Sequence, residues 1–122
     1  MSPKKILIVD DEEFFIEPIK ILLERNGYEV IKANDGMSGL KAARTQSPDL
    51  ILLDLMLPGI NGYQVCRLLK YDEKHKHILT IIVSAKDTEK DKQLGKACGA
   101  DLYLTKPLNY MDLVKQIGEI LQ

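Results

Sequence analysis

Short apolar runs alternate along the chain with stretches in which apolar residues recur every three or four positions. Residues 6–9, 50–53 and 80–83 are almost entirely apolar or β-branched, which is typical of strands buried on both faces of a parallel sheet. Residues 29–33 and 101–104 contain fewer apolar side chains and predict two further strands that lie at the sheet edges. Each predicted strand is followed by a segment with helical periodicity.

The helical segments are bounded by recognisable end signals. Asn26-Gly27 is a C-cap pair for the first helix, and Asn109 is a candidate N-cap for the last. The fourth segment, residues 88–98, has few apolar positions and contains Gly95, so we expect it to be the least firmly packed. The predicted inward residues are Phe15, Ile19, Leu22 and Leu23; Met37, Leu40 and Ala43 or Arg44; Val65, Leu68 and Leu69; and Tyr110, Leu113, Val114, Ile117 and Leu121. The fourth segment has only Leu94, Ala97 and Cys98 as apolar residues.

Five strands that alternate with five helices predict an α/β fold. Such alternation is typical of a parallel sheet with helices on both faces and right-handed crossovers. The three continuous apolar strands (first, third and fourth) belong in the middle and the other two at the edges, which selects the strand order 2-1-3-4-5. Because no linker, repeat or low-complexity tract divides the 122 residues, we expect one domain over residues 1–122.

Charge and composition exclude several classes of protein. Seventeen basic against eighteen acidic residues leave a net charge of -1, so no overall field attracts nucleic acid or an anionic membrane. No apolar run approaches the roughly 18 residues that a membrane helix needs, and the N-terminus has too few apolar residues for a secretory signal. Cys66 and Cys98 form neither a disulfide framework nor a zinc spacing. We therefore expect a cytoplasmic protein with reduced thiols.

Polar side chains follow the carboxyl ends of four predicted strands. Asp10 and Asp11 follow the first, Asp54 the third and Ser84 the fourth, and Lys106 lies just beyond the fifth. Because the carboxyl ends of parallel strands share one edge of the sheet, where ligands bind in open α/β folds, we expect these groups to face one crevice. Each residue alone has an ordinary explanation, such as a helix cap, a turn acid or a solvated lysine, so the prediction rests on their convergence.

This set of groups predicts a cation and phosphoryl chemistry. Two carboxylates about 4 Å apart repel each other by roughly 4 kcal/mol at an effective dielectric near 20, and an all-oxygen acidic site suits Mg²⁺, with Mn²⁺ as an alternative occupant. Beside such an ion, Asp54 is a candidate nucleophile toward phosphorus. Lys106 would neutralise the transferred oxygens and the Ser84 hydroxyl would donate to one of them.

The chain resembles, end to end, the receiver domain of bacterial two-component response regulators, of the chemotaxis-regulator type. The resemblance lies in residues 6–12 (ILIVDDE), 48–54 (PDLILLD), 58–62 (PGING), 83–85 (VSA), 99–101 (GAD) and 106–107 (KP). Singly these motifs are weak, but their order and separations together are specific. The resemblance implies a flavodoxin-like fold with the same strand order 2-1-3-4-5.

The resemblance also implies a role for each matching residue. Asp54 would be phosphorylated by the phosphohistidine of a histidine kinase or a phosphotransfer protein. Mg²⁺ would be held by the side chains of Asp10, Asp11 and Asp54 and by the backbone carbonyl of Met56. Ser84 and Lys106 would bind the phosphoryl group.

A switch and an output surface follow from the same resemblance. Lys106-Pro107 would be a cis peptide, and Ser84 and Tyr103 would form the switch, in which the Tyr103 ring turns from exposed to buried when phosphoryl draws the Ser84 hydroxyl inward. The fourth helix, last strand and last helix would present this change to an output partner, which the sequence does not identify. Met56 and Lys86 occupy positions that tune phosphate loss in the family. Because neither offers an amide or carboxylate to orient water, we expect phosphate loss slower than in the fastest members of the family.

Three other functions compete with this interpretation. A phosphatase of the haloacid-dehalogenase type needs a second acid two residues after the nucleophile, and that position is Met56. A flavodoxin-like carrier needs a phosphate-binding loop after the first strand, and residues 10–13 are acidic instead. A pseudo-receiver that works without phosphate would normally lack part of the acid, hydroxyl and lysine set. We therefore expect a phospho-acceptor that promotes its own phosphorylation and dephosphorylation, and not an enzyme that turns over a separate substrate.

Overall fold

The computed structural model describes residues 3–122, in which strands and helices alternate strictly. The strands are β1 (Lys5–Val9), β2 (Glu29–Ala33), β3 (Leu50–Leu53), β4 (Leu79–Ser84) and β5 (Leu102–Thr105). The helices are α1 (Glu13–Arg25), α2 (Gly36–Gln46), α3 (Gly62–Lys70), α4 (Glu89–Ala97) and α5 (Tyr110–Ile120). The predicted α/β class is confirmed.

The strands form one parallel sheet in the order β2-β1-β3-β4-β5, which confirms the predicted order. β1 and β3 are buried along nearly their whole length, whereas the edge strands β2 and β5 are only partly buried. Continuous apolar sequence in the central strands is what burial on both faces requires. The register pairs Val9 with Leu53, and therefore the chain leaves both strands at the same level.

Alternate residues of each central strand supply two separate cores. Ile6, Ile8, Leu50 and Leu52 pack on one face with apolar residues of α1 and α5. Leu7, Val9, Ile51 and Leu53 pack on the other face with residues of α2 and α3. Because successive side chains of a strand point to opposite faces, helices pack on both faces of the sheet. This packing fixes the position of the carboxyl edge of the sheet.

The predicted inward face was wrong at several helix positions. Three residues expected in the core are exposed: Met37, Leu68 and Tyr110. In α2 the buried face is built from Gly36, Gly39, Leu40 and Ala43, and a methyl group at Gly39 would lie only 2.7 Å from a Val9 methyl carbon. The helix therefore approaches β1 at Gly39, and Met37 is exposed to solvent.

The lengths and composition of the described helices also bear on a membrane location. None of the helices between residues 3 and 122 combines the length and apolar character needed to cross a bilayer.

Both cysteines are free, Cys66 buried and Cys98 partly buried. Burial raises the pKa of the Cys66 thiol to about 12, so Cys66 stays a protonated core residue at neutral pH.

Candidate functional site

Two acidic residues directly follow the central strands β1 and β3. The Asp54 backbone N–H donates to the Val9 carbonyl at 3.0 Å, and the Asp10 N–H donates to the Ala33 carbonyl at 3.1 Å. The backbone pairing thus continues one residue past each strand and places both carboxylates at one edge. Asp10 is only 1% exposed and Asp54 6%, which is unusual for acids.

Four carboxylates converge at this edge. Asp10, Asp11, Glu12 and Asp54 each offer an oxygen, and the four oxygens lie within 4.8 Å of one another. Such a set of hard oxygen donors fits Mg²⁺ or Mn²⁺. Glu12 was not among the residues predicted for this site, although it is the third acid of a consecutive run.

Lys106 carries the positive charge of the site. Its Nζ lies 2.8 Å from Asp10 Oδ2, 3.4 Å from Glu12 Oε1 and 3.8 Å from Asp54 Oδ2. The same ammonium lies 3.9 Å from the centroid of the Phe15 ring. Lys106 is thus enclosed by acids on one side and by an aromatic face, and its side chain is only 13% exposed.

Burial and charge act in opposite directions on the pKa values of the site. Burial raises the pKa of Asp54 to about 6, the Lys106 charge works against this rise, and the Asp10 charge adds to it. Burial tends to lower the pKa of Lys106, but the hydrogen bond to Asp10 and the charge of Asp54 outweigh it, so the pKa is raised. Asp54 is therefore ionised at neutral pH but at a cost, and Lys106 remains a cation.

The loop after Asp54 is shaped by turn and cap residues. Gly59 has a φ of 77°, a left-handed conformation that glycine adopts without strain. Asn61 caps α3 in a reciprocal capping box with Gln64. Gly62 lies against the Asp54 carbonyl, where any side chain would collide. The sequence PGING therefore turns the chain sharply and lets α3 begin beside the acidic cluster.

An open cavity of about 280 Å³ gives access to Asp54. The charged side chains of Asp11, Glu12 and Lys106 line part of this cavity, and Met56 and Ala85 line the remainder. The Met56 side chain is 59% exposed, and its backbone N–H lies 3.5 Å from Asp54 Oδ1. A small group that enters this cavity meets the Asp54 carboxylate beside the Lys106 ammonium.

Lys86 connects the two predicted switch residues through its backbone. The Lys86 N–H lies 3.3 Å from the Ser84 hydroxyl oxygen, and the Tyr103 hydroxyl donates to the Lys86 carbonyl at 2.6 Å. Ser84 is fully buried, while the half-buried Tyr103 ring lies against Gly95 of α4. The loop between β4 and α4 is thus bonded to both residues.

A second tyrosine, Tyr63, joins the start of α3 to α4. The Tyr63 hydroxyl donates to the Asp91 carbonyl at 2.9 Å and so connects the first turn of α3 with the first turn of α4. Burial raises the Tyr63 pKa, and the charges of Tyr103 and Asp91 add to the effect. This bond was not predicted, because Tyr63 and Asp91 are 28 residues apart in the sequence.

Comparison with known sequences identifies the family. The sequence model of the response regulator receiver domain matches residues 6–118. The chain belongs to the response regulator receiver domain family. This confirms the resemblance drawn from the motifs, and it places the acidic cluster and Lys106 within a domain of two-component signalling.

Curated relatives of this receiver domain differ in length. The chain is 46% identical over 119 residues to the alkaline phosphatase synthesis transcriptional regulatory protein PhoP of Bacillus subtilis, covering 98% of this chain and 49% of that protein. It is 43% identical over 117 residues to protein PilH of Pseudomonas aeruginosa, covering 96% of this chain and 97% of that one. The receiver domain thus spans about half of PhoP and nearly all of PilH.

A solved structure agrees with the fold. The receiver domain aligns with a CheY-like response regulator receiver domain protein from Methanospirillum hungatei JF-1 with a TM-score of 0.92 and 32% sequence identity, over 98% of this chain and 94% of that one. The flavodoxin-like fold is therefore shown by topology and by comparison.

The structure brings some predicted site residues together and separates others. Asp10, Asp11, Asp54 and Lys106 meet at the cavity, and Met56 lines it. The Lys106–Pro107 peptide bond is cis. Tyr103 lies apart from the acids and is bonded to the β4–α4 loop. Phe15 also belongs to the site, although its spacing in the sequence predicts only a core residue of α1.

Proposed function

We propose that residues 1–122 form one phospho-acceptor receiver domain in which Asp54 takes a phosphoryl group from a phosphohistidine. The observation that supports this most strongly is the Lys106 ammonium, placed 3.8 Å from the buried Asp54 carboxylate and 2.8 Å from Asp10. A buried carboxylate that is ionised at neutral pH and lies beside a fixed cation in an open cavity is placed to act as a nucleophile.

Each residue has a defined task in this transfer. An Asp54 carboxylate oxygen forms a bond to phosphorus while the bond from phosphorus to the donor imidazole nitrogen breaks, and the electron pair leaves with the imidazole. Lys106 binds a phosphoryl oxygen, and the Ser84 hydroxyl donates to another. Asp10, Asp11, Asp54 and the Met56 carbonyl would hold Mg²⁺ or Mn²⁺, which supplies further neutralisation of phosphoryl charge when bound.

Phosphorylation is proposed to act through Ser84 and Tyr103. When the Ser84 hydroxyl is drawn toward the phosphoryl group, its contact with the Lys86 N–H is disturbed. The Lys86 carbonyl in turn accepts a hydrogen bond from the Tyr103 hydroxyl. Movement of Ser84 therefore changes the position preferred by the Tyr103 ring against α4. The surface of α4, β5 and α5 would carry this change to an output partner.

The proposal extends to partners and location. The phosphoryl donor would be a histidine kinase or a histidine phosphotransfer protein, and the domain would act in the cytoplasm without binding nucleic acid or membrane itself. It would act on its own Asp54 and not on a separate substrate. The net charge of -1 and the mixed charges of α4 support the proposal that the domain binds neither nucleic acid nor membrane.

Intact-mass spectrometry after incubation with acetyl phosphate tests the proposal. We expect one phosphate adduct that needs Mg²⁺ or Mn²⁺ and disappears in Asp54→Asn. Asp101→Asn serves as a matched control, because Asp101 pairs with Lys70 outside the cavity, and it should keep the adduct. No adduct on the wild-type chain in the presence of Mg²⁺ would instead favour a pseudo-receiver that binds its partner without phosphate.

A further inference from the structure

Phe15 forms an uncharged wall beside Lys106. The ring centroid lies 3.9 Å from the Lys106 Nζ, close enough for a strong cation–π contact. The ring is 9% exposed, so the contact is largely desolvated. The acids touch the same ammonium at 2.8 to 3.8 Å.

We propose that Phe15 is a positioning residue, which holds the Lys106 ammonium toward Asp54 while the phosphoryl group is taken up. This inference rests on the proposed function of Asp54 as acceptor. The quadrupole of the ring attracts the cation but does not take a full hydrogen bond from it. The ammonium therefore rests on the ring and keeps its N–H groups available for carboxylate and phosphoryl oxygens.

The surroundings explain why an aromatic ring is needed here. The side chain of Glu12 is 44% exposed and lies 3.4 Å from the ammonium, so it offers Lys106 an alternative, more solvated position. A groove of about 340 Å³, lined by Phe15, Lys106 and Pro107 among others, opens beside the contact. A smaller or more flexible side chain at position 15 would let water and Glu12 draw the ammonium away from Asp54.

The backbone fixes the ring in this place. The Phe15 N–H donates to the Glu12 carbonyl at 2.9 Å, so the first turn of α1 follows directly from the acidic loop. The preceding residue, Phe14, points outward and is 76% exposed. These are the two phenylalanines of the chain, and they provide a matched pair for substitution.

The test lowers the electron density of the Phe15 ring face and leaves the shape of the ring nearly unchanged. Full-length protein is made with 4-fluoro-, 3,5-difluoro- and 3,4,5-trifluorophenylalanine at position 15, and with the same residues at position 14 as the control. Phosphorylation by acetyl phosphate in saturating Mg²⁺ gives the rate constant. The ¹H–¹³C signal of the Lys106 ε-methylene, assigned with Lys106→Met, gives a readout that does not depend on phosphorylation.

We expect the rate constant to fall stepwise with fluorination at position 15, by about tenfold over the series, and to stay constant for position 14. The Lys106 ε-methylene signal should lie upfield in the wild type, because it is above a ring face, and should lose that shift in Phe15→Leu. A rate that is flat across the position 15 series, or an ε-methylene signal unchanged in Phe15→Leu, would overturn the role of Phe15. A wild-type chain that takes up no phosphate would refute the proposed function instead, while the ε-methylene signal would still decide whether the ring holds Lys106.

Discussion

Lys106 and Asp10 form an ion pair of 2.8 Å at the carboxyl edge of the sheet. Asp10 is 1% exposed, and a buried carboxylate needs such a partner because its desolvation is otherwise uncompensated. Lys106 therefore both stabilises the metal-free fold and occupies carboxylate oxygens that a divalent ion would use.

Replacing Lys106 should separate these two effects. We predict that Lys106→Met loses about 3 kcal/mol of unfolding free energy in EDTA and binds Mg²⁺ more tightly than the wild type, because the competing cation is gone. Urea denaturation with and without Mg²⁺ measures both. The exposed Lys32, paired with Glu13 and Glu17, is the control, and Lys32→Met should change neither quantity appreciably. Equal Mg²⁺ affinity in wild type and Lys106→Met would contradict the competition.

The raised pKa of Asp54 predicts how stability depends on pH. Burial raises this pKa from 3.8 to about 6, so folding favours the neutral Asp54 carboxyl. The contribution of this preference to the stability of the fold is fully present below about pH 4. It is lost as the pH rises through about 6, because the folded state must then hold a poorly solvated charge.

Asp54→Asn removes that cost. In EDTA we predict that the variant is more stable than the wild type at pH 7.5, by at most about 3 kcal/mol, and equally stable at pH 4. Millimolar Mg²⁺ should stabilise the wild type at pH 7.5 and reverse the order. Melting temperatures of both proteins in these three conditions provide the measurement. If the stability difference between wild type and Asp54→Asn is the same at both pH values, the Asp54 charge does not destabilise the fold.

Gly95 determines how closely Tyr103 packs on α4. A methyl group at Gly95 would lie 2.9 Å from Tyr103 Cδ2 and 3.2 Å from Ile82 Cδ1, so Gly95→Ala should displace the ring and lose about 1–2 kcal/mol. Gly118 in α5 has open space, with the nearest atom at 3.9 Å, and Gly118→Ala should gain up to about 1 kcal/mol. Chemical denaturation of both variants and hydrogen exchange of α4 check this. Equal stabilisation by both substitutions would mean that the Tyr103 ring is not held against Gly95.

Met56 is predicted to lengthen the life of the phosphorylated state. Its exposed thioether lines the cavity beside Asp54 and has no group that orients an attacking water. Met56→Asn should therefore shorten the phosphoprotein half-life several-fold, while Met37→Asn, an exposed methionine in α2, should leave it unchanged. Decay followed by intact mass after removal of acetyl phosphate measures both. A wild-type half-life of seconds would contradict the expected slow loss.

The sequence predicts the backbone of this site better than its side-chain contacts. Asp10, Asp54 and Lys106 were placed together because parallel strands share a carboxyl edge, a property of topology that an apolar run reveals. The role of Phe15 was missed, since helical spacing says that a residue faces inward but not which cation lies above it. Met37 was misplaced because glycines can form the buried face of a helix, and hydrophobic periodicity does not register them.

Asp54 is the residue proposed to be phosphorylated, and borohydride trapping tests this directly. Reduction of an acyl phosphate converts the modified aspartate into homoserine, which peptide sequencing by mass spectrometry locates in the chain. After acetyl phosphate and Mg²⁺ we predict homoserine at position 54 and unmodified Asp10 and Asp11. Homoserine at another aspartate, or at none, would contradict phosphorylation of Asp54.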